Sequence, residues 1–226
     1  MPRYRICNRP KSVCFVIWAA GRAHAIEPPG EQAGIYPLPF DHDGTLLTLL
    51  HRSRLFFADL PEIHRRHEGR GHSEIFDKNT RGKRPRYYLR IFHYQSGGWL
   101  TEESAERYDT QVEVLLNGTA NAMRRQALPL LHELFAGRDQ RQLRLLDIGC
   151  GTGRFLDFVK QAWPRLQIIG LDMSDAYVRH ARRYLRRWSR TRFVVGKAEA
   201  IPFPDSSQDA VRPVTAVSAK LSRTVL

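Results

Sequence analysis

The spacing of apolar and polar residues changes near residue 142, and this change separates two kinds of structure. From residue 142 onward, short apolar runs alternate with amphipathic stretches. The runs QLRLLDI, LQIIGLD and RFVVG, with a fourth beginning at Asp209, have the composition of buried strands. The stretches between them carry one apolar face each, which is typical of helices. This alternation predicts an α/β fold in which helices cover a parallel sheet of about four strands.

Helix-starting and helix-stopping residues bound each amphipathic stretch. The first stretch runs from Arg154 to Trp163 and is stopped by Pro164. Ser174 caps the second stretch. Its apolar stripe comprises Tyr177, Ala181, Tyr184, Leu185 and Trp188. Away from that stripe lie Arg179, Arg182, Arg183, Arg186, Arg187 and Arg190. We interpret these arginines as the solvated side of the helix, with a nucleic-acid-binding face as the alternative.

Residues 41–140 are predicted to form a mostly helical region that precedes the sheet. Thr101 and the two glutamates after it mark a helix start, because a hydroxyl caps free N–H groups and acids suit the dipole. Gly118 marks the end of this helix. The residues predicted to share its apolar face are Ala105, Tyr108, Val112 and Leu115.

A second helix of this region is predicted between Thr119 and Phe135. Pro129 is expected to kink or split it, because proline lacks the N–H that a helix interior needs. Gly137 lies just past its predicted end.

The charge of the chain is strongly basic, with 36 Lys and Arg against 23 Asp and Glu and a formal net charge of +13. Such a balance suits anionic partners, although the arginines are scattered. The three cysteines form no disulfide framework, which favours a reducing compartment and hence the cytoplasm. The spacing of cysteine and histidine predicts no metal site.

Residues 1–40 are rich in proline and glycine and are predicted to be an extension or linker. Their first 25 residues combine a basic start, an apolar run and Ala23-His24-Ala25, a pattern that a signal peptide also shows. The alternative is an upstream extension of a cytoplasmic protein. The apolar run is too short to span a bilayer.

The candidate chemistry lies where the first strand ends, in LLDIGCGTGR. Gly149, Gly151 and Gly153 let the backbone turn sharply and let a ligand approach without meeting a Cβ atom. Asp172 ends the following strand, where a carboxylate can accept hydrogen bonds from both hydroxyls of a ribose. A nicotinamide dinucleotide requires GxGxxG, and here the third glycine comes one position early. S-adenosylmethionine has no phosphate and needs an acid near its ammonium group, which Asp147 supplies.

A third segment, GKAEAIPFPDSSQDAV, completes a resemblance. With LLDIGCGTGRF and GLDMS, it is similar to the successive motifs of class I S-adenosylmethionine-dependent methyltransferases, especially the ubiquinone/menaquinone-biosynthesis-like group. The resemblance implies a Rossmann-like fold of seven strands with S-adenosyl-L-methionine across the strand ends. It implies these cofactor-binding residues: Asp147, Gly149, Cys150, Gly151, Gly153, Asp172, Met173, Ala198 and Glu199. Lys197 departs from the pattern, because many relatives have there an acid that accepts from the adenine amino group.

The segments FHYQSGGW and YDTQVEVLLNGTANAMRRQAL resemble the N-terminal region of a bacterial group of such methyltransferases. The resemblance points to His93, Tyr94 and Tyr108 as residues that close over the cofactor and shape the acceptor pocket. The alternative is that they pack the helical region on the sheet. No residue is assigned a catalytic role.

The resemblance leads us to expect more strands after Val211. Arg212 and Pro213 are predicted to interrupt the fourth strand. We therefore divide the chain into an extension (1–40), a helical cap region (41–140), a cofactor-binding half-domain (141–211) and an atypical tail (212–226). With the sheet incomplete, the chain is predicted to be inactive or nearly so, although its family is enzymatic.

The function expected from the sequence is methyl transfer from S-adenosylmethionine to a small-molecule acceptor, without a membrane span. Two alternatives stay open. One is an RNA or DNA methyltransferase that binds through its arginine surface. The other is a non-catalytic fragment that binds the cofactor or a partner.

Overall fold

The structure, a computed structural model, is built on a parallel sheet of five strands. It describes residues 14–15, 46–69, 96, 98–116 and 119–213. In chain order, the strands are β1 (Cys14–Phe15), β2 (Arg144–Ile148), β3 (Gln167–Asp172), β4 (Thr191–Val195) and β5 (Ala210–Pro213). They lie side by side in the order β1-β5-β2-β3-β4, and all four pairings are parallel. The predicted α/β fold with a Rossmann-like parallel sheet is thus confirmed.

The first strand, β1, was not predicted. It comes from the N-terminal segment, and its two residues pair with Ala210 and Val211 of β5. The other four strands coincide with the four apolar runs of the sequence. Two of them, β2 and β3, are buried along nearly their whole length. A parallel strand that is buried on both faces has the continuous apolar composition seen in these runs.

The prediction that Arg212 and Pro213 interrupt the fourth strand is wrong. Strand β5 continues through both residues, with Arg212 opposite Asp147 and Pro213 opposite Ile148 of β2. Proline is tolerated here because Pro213 is the last residue of the strand, beyond the two residues that pair with β1. Arg212 is tolerated because its side chain finds an anionic partner on β2.

Six helices surround or precede the sheet in the described ranges. They are α1 (Leu46–Gly69), α2 (Glu102–Leu115), α3 (Ala120–Arg125), α4 (Leu128–Phe135), α5 (Arg154–Ala162) and α6 (Asp175–Tyr184). No helix of the described ranges is long and apolar enough to cross a membrane.

The apolar core lies on both faces of the sheet. On one face, Leu145 and Ile168 pack in a large cluster with residues of α4, α5 and α6 such as Leu131, Leu156 and Ala181. On the opposite face, a smaller cluster is formed by alternate residues of the same strands. Its members include Leu146, Ile169 and Val211, with Ile201 and Phe203 packed against them. Alternation along each strand therefore decides which face a residue joins.

Most predicted helix ends are confirmed. The Thr101 hydroxyl accepts from the Ser104 N–H at 3.1 Å, and the Ser174 hydroxyl accepts from the Tyr177 N–H at 3.2 Å. The predicted helix around Pro129 is split, because this proline lies in the first turn of α4. Gly118 lies outside the described residues.

The predicted apolar face of α2 is wrong in part. Ala105 is fully buried, but Leu115 is 50% exposed. The buried face instead carries polar residues, among them Arg107, Asp109 and Gln111. The reason is that these side chains find buried partners from other segments, which the spacing of apolar residues does not reveal.

The arginines of α6 and of the turn after it are exposed, as predicted for the solvated side of this helix. Several of them also bind neighbouring acids. Arg179 and Arg183 form ion pairs with Glu102 at the start of α2, at 2.7 and 3.0 Å. Arg187 forms an ion pair with Asp157 of α5 at 2.8 Å.

Lys160 ties together three segments on the helical face of the sheet. Its side chain is fully buried, and its ammonium group donates to the carbonyls of Pro164, Leu166 and Ser189 at 2.7, 2.8 and 2.9 Å. These carbonyls lie after α5, just before β3 and just before β4. A single buried cation thus fixes the end of one helix and the starts of two strands.

Asp109 ties the helical region to the loop that follows β2. Its buried carboxylate accepts from the Thr152 hydroxyl at 2.8 Å and from Nε of Arg154 at 2.9 Å. Arg124 lies 3.9 Å away. Burial raises the pKa of Asp109, but the nearby guanidinium groups and hydrogen bonds outweigh burial, so the pKa is below its usual value. The carboxylate is therefore ionised in the folded protein.

Replacing Lys160→Met is expected to lower the free energy of unfolding by about 3 kcal/mol, because three carbonyls lose a charged donor whose side chain is fully buried, while the apolar stem is kept. Urea unfolding of the purified chain measures this change. The control is Arg165→Met, an exposed neighbour, which should change stability by less than about 0.5 kcal/mol. Equal effects of the two substitutions would contradict the role given to Lys160.

Replacing Asp109→Asn is expected to destabilise the chain by about 3 kcal/mol at pH 7, because the buried Arg154 loses its anionic partner. Since the pKa of Asp109 is lowered on folding, the unfolded state takes up the proton first as the pH falls below about 4. The difference between wild type and variant should then shrink. Urea unfolding at pH 7 and at pH 3 tests this, with the exposed Asp205→Asn as control. A difference that does not depend on pH would refute the assignment.

Candidate functional site

The glycine loop begins where β2 ends, at the carboxyl edge of the sheet. Gly149, Gly151 and Gly153 all have positive φ angles, of 76°, 55° and 86°. At Gly153 an added Cβ atom would come within 2.6 Å of Leu185 Cδ1, so this glycine allows α5 and α6 to pack closely. At Gly151 an added Cβ atom would meet nothing within 4 Å, so open space lies beside the middle of the loop.

Asp172, at the end of β3, holds this loop in place. One carboxylate oxygen accepts from the Gly151 N–H at 2.9 Å, and the other accepts from the Ser174 N–H at 2.8 Å. Burial raises the pKa of Asp172, and the Asp147 carboxylate adds to this, whereas the backbone N–H groups oppose it. The Met173 N–H also hydrogen-bonds to this carboxylate. Because a carboxylate has about four acceptor positions, Asp172 can still accept from a ligand hydroxyl group.

The N–H groups of the loop are already used within the protein. Those of Gly149 and Cys150 donate to the Leu171 carbonyl, at 2.7 and 3.1 Å, and that of Gly153 donates to the Cys150 carbonyl at 3.0 Å. The Gly151 N–H donates to Asp172. A pyrophosphate bound at a helix start needs such N–H groups to be available. Four N–H groups of the loop are therefore engaged within the protein, which is compatible with a ligand that has no phosphate.

Cys150 faces the core of the protein with its side chain. The thiol lies against β3, where a Cβ atom added to Gly170 would come within 2.9 Å of its Sγ atom and close to the Phe193 ring. Burial raises the pKa of the Cys150 thiol well above its usual value, and Asp172 and Asp147 add to the rise. Cys150 can therefore contribute to the predicted site only through its backbone, because its side chain is packed in the core.

Asp147 is fully buried beneath the loop, near the end of β2. One of its carboxylate oxygens accepts from Nη1 of Arg212 at 2.9 Å. The other oxygen has no hydrogen-bond partner among the described residues. Burial raises the pKa of Asp147, and the Arg212 guanidinium opposes this rise.

The segment that follows β4 lies beside Asp172. The Gly196 N–H donates to the Asp172 carbonyl at 2.9 Å. Ala198 and Glu199 then form a turn that is closed by a bridge between Lys197 and Ala200. Met173 is half-buried directly after Asp172. The fold thus brings the three sequence motifs to one edge of the sheet, with Lys197 exposed there.

Tyr108 is the one predicted acceptor-side residue within the described ranges, because His93 and Tyr94 lie outside them. Its ring packs against those of Trp99 and Tyr177, with centroids 5.6 and 5.4 Å apart. Burial raises the pKa of Tyr108 to about 12. The hydroxyl is therefore neutral at physiological pH, so it can form hydrogen bonds but is no general base.

Three residues that shape the site were not among those predicted from the sequence. Asp109 and Arg154 brace the loop, and Arg212 binds Asp147. Arg212 did carry a signal, since a charged residue within an apolar strand needs a buried partner. Asp109 carried none, because it is indistinguishable from a surface acid of the same helix until the fold is known. The described residues contain no group of three or more His, Cys, Asp or Glu that could hold a metal ion.

The site fits the nucleoside part of S-adenosylmethionine. Asp172 can still accept from a ribose hydroxyl group, and open space lies beside Gly151. At the other end, the acid that would take an ammonium group, Asp147, already holds Arg212.

Comparisons with known proteins agree with this geometry. Residues 145–223 match the family model of a methyltransferase domain. The chain is 34% identical over 67 residues to malonyl-[acyl-carrier protein] O-methyltransferase of Xylella fastidiosa, a match covering 30% of this chain and 23% of that protein. It is 29% identical over 130 residues to demethylmenaquinone methyltransferase of Thermotoga maritima, covering 58% of this chain and 49% of that protein.

The chain thus spans less than half the length of these two curated relatives. Among solved structures, the YcgJ protein of Bacillus subtilis is 28% identical, with a TM-score of 0.33 over 39% of this chain and 38% of that one. The family model, the relatives and the order of the three motifs agree with one another. Residues 145–223 thus match a methyltransferase domain, in agreement with the S-adenosylmethionine-dependent methyltransferases that the three sequence motifs resemble.

Proposed function

We propose that the chain binds S-adenosyl-L-methionine at the carboxyl edge of the sheet, as the cofactor-binding part of a cytoplasmic methyltransferase whose acceptor is a small molecule. The observation that carries the proposal is the set of hydrogen bonds made by the Asp172 carboxylate. This carboxylate fixes the loop through Gly151 and can still accept from a ligand hydroxyl group, while four N–H groups of the loop are engaged within the protein. This arrangement favours a nucleoside without phosphates.

The remaining motif residues have places consistent with this ligand. Open space lies beside Gly151, and we assign the ribose and the sulfonium to this side of the loop, next to Gly149 and Gly151. Met173 follows Asp172 and is assigned to the adenine face. The turn at Ala198 and Glu199 is assigned to the adenine edge, beside the exposed Lys197, which offers donors but no acceptor.

The bound sulfonium supplies an electrophilic methyl group, so the protein's task is to hold the acceptor in line with it. The helical region is the part of the described chain that lies next to the loop, through Asp109 and through Trp99, whose carbonyl accepts from the Ser174 hydroxyl. We assign Tyr108, together with His93 and Tyr94, to the acceptor side. With its hydroxyl neutral, Tyr108 would orient an acceptor by hydrogen bonding.

The acceptor is proposed to be a small organic molecule. The two relatives are named for a malonyl thioester and for demethylmenaquinone, both of which are small or lipid-like acceptors. The arginines of α6 do not favour a nucleic acid, since Arg179, Arg183 and Arg187 are engaged with acids of the same chain.

Replacing Asp172→Asn is expected to weaken the binding of S-adenosylhomocysteine at least tenfold, about 1.4 kcal/mol, because the ribose hydroxyls lose a charged acceptor. Isothermal titration calorimetry of the purified chain measures this. The matched control is Asp175→Asn, an exposed acid three residues later in the first turn of α6, which should leave the affinity unchanged. NAD is expected not to compete with S-adenosylhomocysteine for binding to the wild-type chain. Tighter binding of NAD, or no effect of Asp172→Asn, would contradict the proposal.

The acceptor class is tested by methyl transfer from S-adenosylmethionine carrying a radioactive methyl group. The purified chain is incubated separately with a set of quinones and carboxylic acids or their thioesters, and with total RNA. Label is expected in the organic-soluble products, because the acceptor is proposed to be a small molecule. Label that appears in RNA and falls steeply with salt would instead favour the nucleic-acid alternative.

A further inference from the structure

The pairing of Asp147 with Arg212 lies at the place where the cofactor's amino group would be expected. Arg212 lies opposite Asp147 in the β2–β5 register, and its Nη1 atom donates to the carboxylate at 2.9 Å. Its guanidinium group lies 4.0 Å from the centroid of the Phe155 ring at the start of α5. The strand register, the acid and the ring thus hold this side chain in one position.

Asp147 is the remaining acid near the loop that is able to bind a ligand cation. Asp109 is satisfied by Thr152 and Arg154. Asp172 holds Gly151 and is assigned to the ribose. In Asp147, one carboxylate oxygen has no hydrogen-bond partner among the described residues, although the side chain is fully buried.

A ligand ammonium group and Arg212 would therefore compete for one carboxylate. Both are cations, and a second cation beside a half-buried guanidinium group is repelled strongly where water does not screen it. Arg212 belongs to the same chain and is fixed by its strand, so it loses little freedom when it stays at Asp147. A ligand must lose its freedom of motion to take that place.

We propose that Arg212 occupies the amino-group position at Asp147, so that the site binds 5′-thioadenosines mainly through the nucleoside and gains little from the amino-acid part. The proposal rests on the proposed function, because it assumes that a thioadenosine binds beside the loop. It identifies the ligand class as adenosines with a 5′ sulfur, as thioether or sulfonium, whether or not they carry an amino acid.

The experiment compares two ligands by isothermal titration calorimetry. S-adenosylhomocysteine carries the ammonium group, and 5′-deoxy-5′-methylthioadenosine lacks the amino-acid part. Wild type is expected to bind them with dissociation constants within about threefold of each other. The variant Arg212→Leu frees Asp147 and is expected to prefer S-adenosylhomocysteine at least tenfold. In the double variant Asp147→Asn with Arg212→Leu, the preference should disappear again, because the acid is gone.

Each outcome decides the matter. A preference of wild type for S-adenosylhomocysteine of tenfold or more overturns the inference, and so does an Arg212→Leu variant whose preference equals that of wild type. If Arg212→Leu does not fold, as judged by circular dichroism, Arg212→Gln replaces it, because an amide can still hydrogen-bond to Asp147 without competing as a cation. Binding of neither ligand to wild type would overturn the proposed function as well. Binding of both that is weakened by Asp172→Asn would preserve the proposed function, whatever the ratio.

Discussion

The Asp172 carboxylate holds together the parts of the site that come from different segments of the chain. Its two oxygens bind the N–H groups of Gly151 and Ser174, while its own carbonyl accepts from Gly196. One residue at the end of β3 therefore fixes the loop after β2, the start of α6 and the segment after β4. Burial raises the pKa of its carboxyl group, so these N–H donors are what keep it able to act as an anion. The stability of the loop and its capacity to bind a diol thus depend on the same group.

Buried charge also decides how the helical region meets the sheet. Asp109 of α2 binds Thr152 and Arg154, on either side of Gly153, so the orientation of the loop depends on a helix more than 40 residues earlier in the chain. A buried ion pair of this kind adds little net stability compared with apolar packing, but removing either partner leaves an uncompensated charge. Its physical effect is to exclude alternative arrangements of the two elements. The aromatic rings of Tyr108 and Tyr177 then pack between α2 and α6.

The features that could be predicted from the sequence are local ones. The strands, the cap at Ser174 and the split at Pro129 each follow from residues within a few positions, and the structure has all of them. What failed depends on pairing between distant segments. The apolar face of α2 was misassigned because Asp109 finds its partners only in the fold. Arg212 was taken to break its strand because its compensating acid, Asp147, lies 65 residues earlier and is brought opposite it by the sheet register. β1 was missed because so short a strand has no periodicity to detect.

The register of β5 has a consequence for recognition that follows from electrostatics. Burial raises the pKa values of both Asp147 and Asp172. The Asp147 carboxylate raises the pKa of Asp172 further. Arg212 opposes the rise at Asp147 from within the protein, through an ion pair of 2.9 Å. Under the proposal made for Arg212, the protein itself supplies the cation beside Asp147. Discrimination among ligands is then expected to come from the hydroxyl groups at Asp172 and from the shape of the space beside Gly151, rather than from an ammonium group.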